Sequence, residues 1–169
     1  MLRNIALIGL ISISLSGCLK GSTADDMCSY EPCAIKASAN EEQAIVAYLE
    51  NNNITDAQRH CSGMYFKVET PGTGKTPEVC SNITVNYSGR LTNGNEFDAS
   101  RNGPITFLLR NVIAGWKNGI PQIKEGGRIR LFIPPSLGYG NQDQTDRNGN
   151  VVIPGGSILI FDVELNRVQ

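Results

Sequence analysis

Histidine is almost missing from this chain: His60 is the single one in 169 residues. A Ser–His or Cys–His nucleophilic pair would have to be built around that one side chain, which leaves triad hydrolysis without parts. The same scarcity, and the absence of any CxxC spacing, means that no metal site is expected. Excess charge is missing too. Fifteen Lys+Arg oppose 16 Asp+Glu, for a net charge of −1, and no basic block or stripe occurs. Nucleic-acid binding leans on such a stripe, so no nucleic-acid partner is expected. The longest apolar run, IALIGLISI (5–13), is far shorter than the ~20 residues a bilayer-crossing helix needs. The glycine-rich turn at 71–76 ends in Gly74-Lys75-Thr76, but a phosphate loop would require glycine where Glu69 stands.

What remains is ordinary globular material, 40% hydrophobic and 18% charged, sufficient for one domain. The 18 glycines and 8 prolines suit a turn-rich, largely β protein. Arg3 followed by the short apolar run reads as an export signal. Leu15-Ser16-Gly17-Cys18 comes directly after it and resembles the bacterial lipobox, in which the cysteine becomes an acylated N-terminus. The alternative is an ordinary secretory signal that happens to contain a cysteine. Acylation of Cys18 would anchor the chain to a membrane surface without spanning it. Leu19 behind the cysteine leans toward the outer membrane, because the resemblance places Asp there in retained lipoproteins.

The expected organisation is a lipoprotein signal at 1–17, a tether and loop at 18–40, a short helical extension at 41–61, and one domain at 62–169. Four cysteines lie beyond Cys18, and an even number in an exported chain suggests disulfides. Three connectivities are possible. The expected pairing joins Cys28 to Cys33 and Cys61 to Cys80.

Residues 41–53, EEQAIVAYLENNN, carry Ala44, Ile45, Ala47, Tyr48 and Leu49 on one side at helical spacing. From Met64 the period changes to two. Met64, Phe66 and Val68 alternate with Tyr65, Lys67 and Glu69, and Ile83, Val85, Tyr87 and Leu91 share a face of ITVNYSGRL. Thr92-Asn93-Gly94-Asn95 reads as a hairpin turn into Glu96-Phe97-Asp98. Further strands are expected at 105–109, 128–133 and 157–165. The only helix signal among them is VIAGWKNGI (112–120), short, glycine-flanked, and centred on the single tryptophan. The order predicts an α+β domain, an antiparallel sheet folded against one helix.

The stretches VNYSGRLTNGNEFDAS, VIAGWKNGIPQIKEGGRIRLFIPPSLGYG and IPGGSILIFDVELNRV resemble the FKBP-type peptidyl-prolyl cis-trans isomerases in motif order and spacing. The resemblance implies a twisted antiparallel sheet of five to six strands wrapped around one short α-helix, here with an N-terminal helical extension. It implies that Trp116 floors a substrate pocket. It assigns catalysis to Asp98, Tyr87 and Phe97, with substrate contacts from Val112, Ile113, Tyr139, Ile153 and Phe161. Ile105 falls where many members carry an aromatic, so an aliphatic pocket wall is expected there. The polar loop at 141–152 is longer than in the smallest members and is expected to overhang the pocket.

Rotation about an Xaa–Pro bond needs no nucleophile, metal or cofactor, and none is expected. The implied partners are unfolded or partly folded proline-containing polypeptides, with macrolide inhibitors in the same pocket. The implied setting is the bacterial envelope, with the chain lipid-anchored at the outer membrane and facing the periplasm. One short helix offers too little length for a dimerising arm, so a monomer is expected. The competing reading is a chaperone or peptide-binding module that holds clients without turning them over.

Overall fold

A computed structural model describes residues 28–169; the expected signal at 1–17, Cys18 and the first part of the expected tether lie outside the described residues. No described helix is long and apolar enough to cross a membrane.

The chain begins with a strap, 28–38, and then helix α1 (Ala39–Asn51). The helix starts two residues before the expected stretch at 41–53, because Ser38 caps it. The Ser38 hydroxyl accepts the Glu41 backbone N–H at 3.3 Å, and the Glu41 carboxylate accepts the Ser38 N–H at 2.7 Å. Ile45 and Leu49, one turn apart, form its buried stripe.

Strands β1 (Gln58–Arg59), β2 (Tyr65–Thr70), β3 (Asn82–Leu91), β4 (Glu96–Ala99) and β5 (Ile105–Leu108) follow. Helix α2 (Ala114–Gly119) comes next, then β6 (Arg128–Ile133), a small hairpin of β7 (Gln144–Thr145) and β8 (Val151–Ile153), and β9 (Leu159–Val168). The main sheet runs β1-β2-β6-β9-β3-β4, and every pairing in it is antiparallel. β4 and β5 share the free edge of β3 end to end: β5 takes Asn82 to Val85 and β4 takes Ser88 to Arg90. The sheet therefore has seven strands, the two-residue β1 being too short to leave a periodic signal.

The alternation of β6 and β9 sorts the chain into two faces. Ile129, Leu131 and Ile133 with Leu159, Phe161, Val163 and Leu165 point to the inner face and enclose α2. Burying one such side chain contributes ~1.5–3 kcal/mol. On the outer face, Phe132 (0% exposed) and Ile160 (4%) meet Ile45 and Leu49 of α1. Farther along the same outer face the pattern turns charged. Arg90 and Arg130 both grip Asp162, and Arg128 pairs with Glu164 at 3.1 Å. Half-exposed ion pairs of this kind add little stability.

The cysteine pairing differs from the expected one. Cys28 is bonded to Cys80 and Cys33 to Cys61, with Cα–Cα separations of 5.5 and 5.7 Å. Cys28 and Cys33 do not close a local loop, because the strap runs across the domain and each cysteine meets a different segment. Each bond ties the strap to the domain across 52 or 28 residues of sequence. The loop at 141–152 carries the β7–β8 hairpin, whose turn is closed by the Asp146 carboxylate accepting the Asn148 and Asn150 N–H groups.

Candidate active site

Helix α2 has only six residues, too few to persist on local hydrogen bonds. Packing sets its position. A Cβ on Gly115 would lie 2.5 Å from the Ile133 side chain, and one on Gly119 would lie 2.5 Å from Leu131. Glycine is required at both positions by close approach to β6, not by an unusual backbone turn. That approach lowers Trp116 into the inner face, where it is 4% exposed.

Around the indole lies a cavity of about 320 Å³ lined by Tyr87, Asp98, Phe107, Asn111, Val112, Ile113, Trp116, Tyr139 and Phe161. The rings meet edge to face. Trp116 stands 5.3 Å from Tyr87 and 5.3 Å from Phe161, with interplanar angles of 86° and 89°, and 5.9 Å from Phe107 at 83°. This geometry sets positive ring edges against negative faces and holds the walls apart. The size falls at the small end of ligand pockets, suited to one compact apolar group.

The polar groups sit at the rim. The Tyr87 hydroxyl donates to Asp98 Oδ2 at 2.7 Å. Burial, reinforced by this bond and by the carboxylate charge, holds the Tyr87 phenol far above its ordinary pKa. Burial first, and the Asp98 charge second, also raise Tyr139. Both hydroxyls therefore stay protonated and able to donate at any physiological pH. The buried Trp116 Nε1 has no acceptor among the described residues.

Three of the sequence-derived residues do not line the cavity. Phe97 stands behind it, edge-on to Phe161 at 5.5 Å, in space kept open by Gly89, whose Cβ would lie 2.7 Å from both rings. Ile153 is buried in the core. Ile105 is 39% exposed on β5, opposite Val85, and the wall expected to be aliphatic is aromatic, made by Phe107. Ile105 and Phe107 share a strand face, so period alone could not decide which of them reaches Trp116. Asn111, at the turn into α2, is the other lining residue that sequence reasoning missed. A wider groove on the outer face is walled by the Arg128, Arg130, Asp162 and Glu164 ion pairs and is not apolar.

Comparison with known proteins agrees with this geometry. The FKBP-type peptidyl-prolyl cis-trans isomerase family matches residues 74–166. FkpA of Buchnera aphidicola subsp. Baizongia pistaciae is 46% identical over 116 residues, covering 68% of this chain and 44% of the relative. Escherichia coli FkpA is 43% identical over 110 residues, covering 64% of this chain and 38% of the relative. This chain thus spans less than half the length of those curated relatives. The crystal structure of Escherichia coli FkpA superposes with a TM-score of 0.66 at 37% identity, over 77% of this chain and 59% of that one. A peptidyl-prolyl cis-trans isomerase from Pseudomonas syringae gives a TM-score of 0.66 at 29% identity, over 79% of this chain and 98% of its own. Sheet order, ring-lined cavity and matched segment converge: the chain belongs to the FKBP-type peptidyl-prolyl cis-trans isomerase family.

Proposed function

We propose that this chain accelerates cis–trans rotation about Xaa–Pro bonds in polypeptides, and that the cavity around Trp116 is where it does so. The observation that carries the reading is the enclosure of one small apolar space by Tyr87, Phe107, Trp116 and Phe161. The uncatalysed barrier is amide resonance, roughly 18–20 kcal/mol. In the twisted transition state conjugation is lost and the carbonyl carries less negative charge. Water favours the planar, polar ground state, so a dry cleft that fits the twisted form lowers the barrier.

In this reading the proline ring rests on the indole. Val112 and Ile113 close one side, and the Ile113 backbone N–H faces the bound peptide. Tyr139 donates its hydroxyl to a peptide carbonyl. Asp98 fixes Tyr87 and sets the polarity beside the reacting carbonyl, with no proton transfer. Phe97 acts by holding Phe161. Macrolide inhibitors would compete for the same cavity. Acylation at Cys18 would tether the chain to the outer membrane, facing the periplasm, with exported proteins as clients, and the chain would act as a monomer.

A module that holds polypeptide without turning it over is the second reading, and the exposed Tyr139, Val151 and Val152 offer apolar surface for it. Protease-coupled or NMR exchange turnover of an Xaa–Pro peptide separates the two. Catalysis predicts faster interconversion that a macrolide suppresses and that Asp98→Ala weakens. Interconversion at the spontaneous rate, with peptide still bound, would leave only the second reading.

A further inference from the structure

We infer that Tyr30 and Glu41, both upstream of the segment that defines the family, are positioning residues for two walls of the cavity. The inference rests on the isomerase reading above for its kinetic part, and on geometry alone for the rest.

Tyr30 acts on α2 from behind. Trp116 faces the cavity, while Asn118, two residues on, turns its side chain into the protein at 2% exposure. Its Oδ1 accepts the Tyr30 hydroxyl at 2.9 Å, and Lys117 Nζ lies 5.1 Å from the Tyr30 ring centroid. The Asn118 Nδ2 is buried without a partner among the described residues, so the Tyr30 bond is the side chain's one hydrogen-bonded anchor among them. Such a group is costly to bury if that anchor is lost. A six-residue helix cannot hold its own place, so a bond to its back face fixes where the indole stands. Tyr30 is itself delivered by the strap that Cys28–Cys80 and Cys33–Cys61 fasten down.

Glu41 acts on the opposite lip. Its Oε1 accepts the Ser136 backbone N–H at 2.8 Å, while Oε2 accepts the Ser38 N–H. Ser136 lies in the tight turn Pro135–Leu137, where Pro134 and Pro135 carbonyls accept the N–H groups of Leu137, Gly138 and Gly140. That turn presents Tyr139 to the cavity. A carboxylate gives one acceptor oxygen to each N–H. An amide has one carbonyl oxygen and an NH₂ that would confront the second donor. Glu41 therefore couples the cap of α1 to the seat of Tyr139.

The test uses the full chain with its disulfides oxidised, as wild type, Tyr30→Phe, Glu41→Gln, and Lys36→Ala as an exposed control. It reads kcat and KM on an Xaa–Pro peptide, the folded fraction by circular dichroism, and the emission of Trp116, the single tryptophan. Tyr30→Phe is expected to shift Trp116 emission and lower kcat/KM about 3–10-fold in fully folded protein, as a small misplacement of a binding wall does. Glu41→Gln is expected to raise KM with kcat nearly unchanged, because Tyr139 holds ground and transition states alike, and to leave Trp116 emission in place. Wild-type kcat, KM and emission in both variants would overturn the inference. So would losses that merely track the unfolded fraction. If wild type itself leaves the peptide at its spontaneous rate, the isomerase reading fails. The inference is then decided by Trp116 emission and by peptide affinity in the same variants.

Discussion

The two faces of the sheet are covered by helices of opposite character. On the outer face α1 has 13 residues, a complete capping box and two buried side chains. On the inner face α2 has six residues, no side-chain cap and four buried positions. The first carries its own start signal and needs the sheet only for one stripe. The second exists because Gly115 and Gly119 let it sink onto β6, and its reward is a tryptophan in the right place. The difference separates stability from function. Outer-face packing holds the domain together, and inner-face packing also shapes the cavity.

Adjacent residues of β9 give the sharpest way to test that division. Phe161→Ala, on the inner face, is expected to cost ~3–5 kcal/mol and to cut turnover at least tenfold per folded molecule, since it removes a ring against Trp116, Tyr87 and Phe97. Ile160→Ala, on the outer face, is expected to cost ~2–5 kcal/mol with turnover per folded molecule unchanged. Urea unfolding with the coupled assay reads both, and equal losses of turnover would erase the distinction. Replacing Cys28 and Cys80 together by serine is expected to cost ~2–4 kcal/mol, by freeing a 52-residue span in the unfolded chain. Ser38→Ala removes the cap of α1 and is expected to cost ~1 kcal/mol in the same unfolding measurement.

The smallest effect concerns His60. Burial depresses its folded-state pKa below the ordinary value near 6.5. A depressed folded pKa contributes stability that is complete above the unfolded value and is lost as pH falls through the folded one. The urea midpoint should therefore decline as pH drops from 7.5 toward 5, and His60→Gln should make that decline shallower.

Much of this was legible in the residues. Period two located β2, β3 and β6 to within a residue or two, because their inner faces alternate cleanly. The Ser38-x-x-Glu41 pattern was present as a helix start and would have placed α1 two residues earlier. A further signal was there to be read. RIRLFI and LIFDV begin or end in unbroken apolar runs at Phe132 and Ile160, as strands do when both faces are covered. Disulfide connectivity was not legible, because four cysteines fix a set of pairings and only the path of the strap selects among them. Nor was the choice of Phe107 over Ile105, which depends on how far β5 reaches along β3. The resemblance located Trp116. What seats it, β6 beneath and Tyr30 behind, is contact between segments distant in sequence, which leaves no local pattern.

The position of β2 has a practical side. It pairs with β6 from Arg128 to Phe132, yet it lies before residue 74, where the family match begins. A chain trimmed to the matched segment would leave β6 with a bare ladder of N–H and C=O groups and would strip α1 from Phe132 and Ile160. An open edge beside an uncovered greasy patch is a template for intermolecular pairing. The minimal expressible unit is therefore longer than its homology boundary, and a truncation at that boundary should be recovered as aggregate.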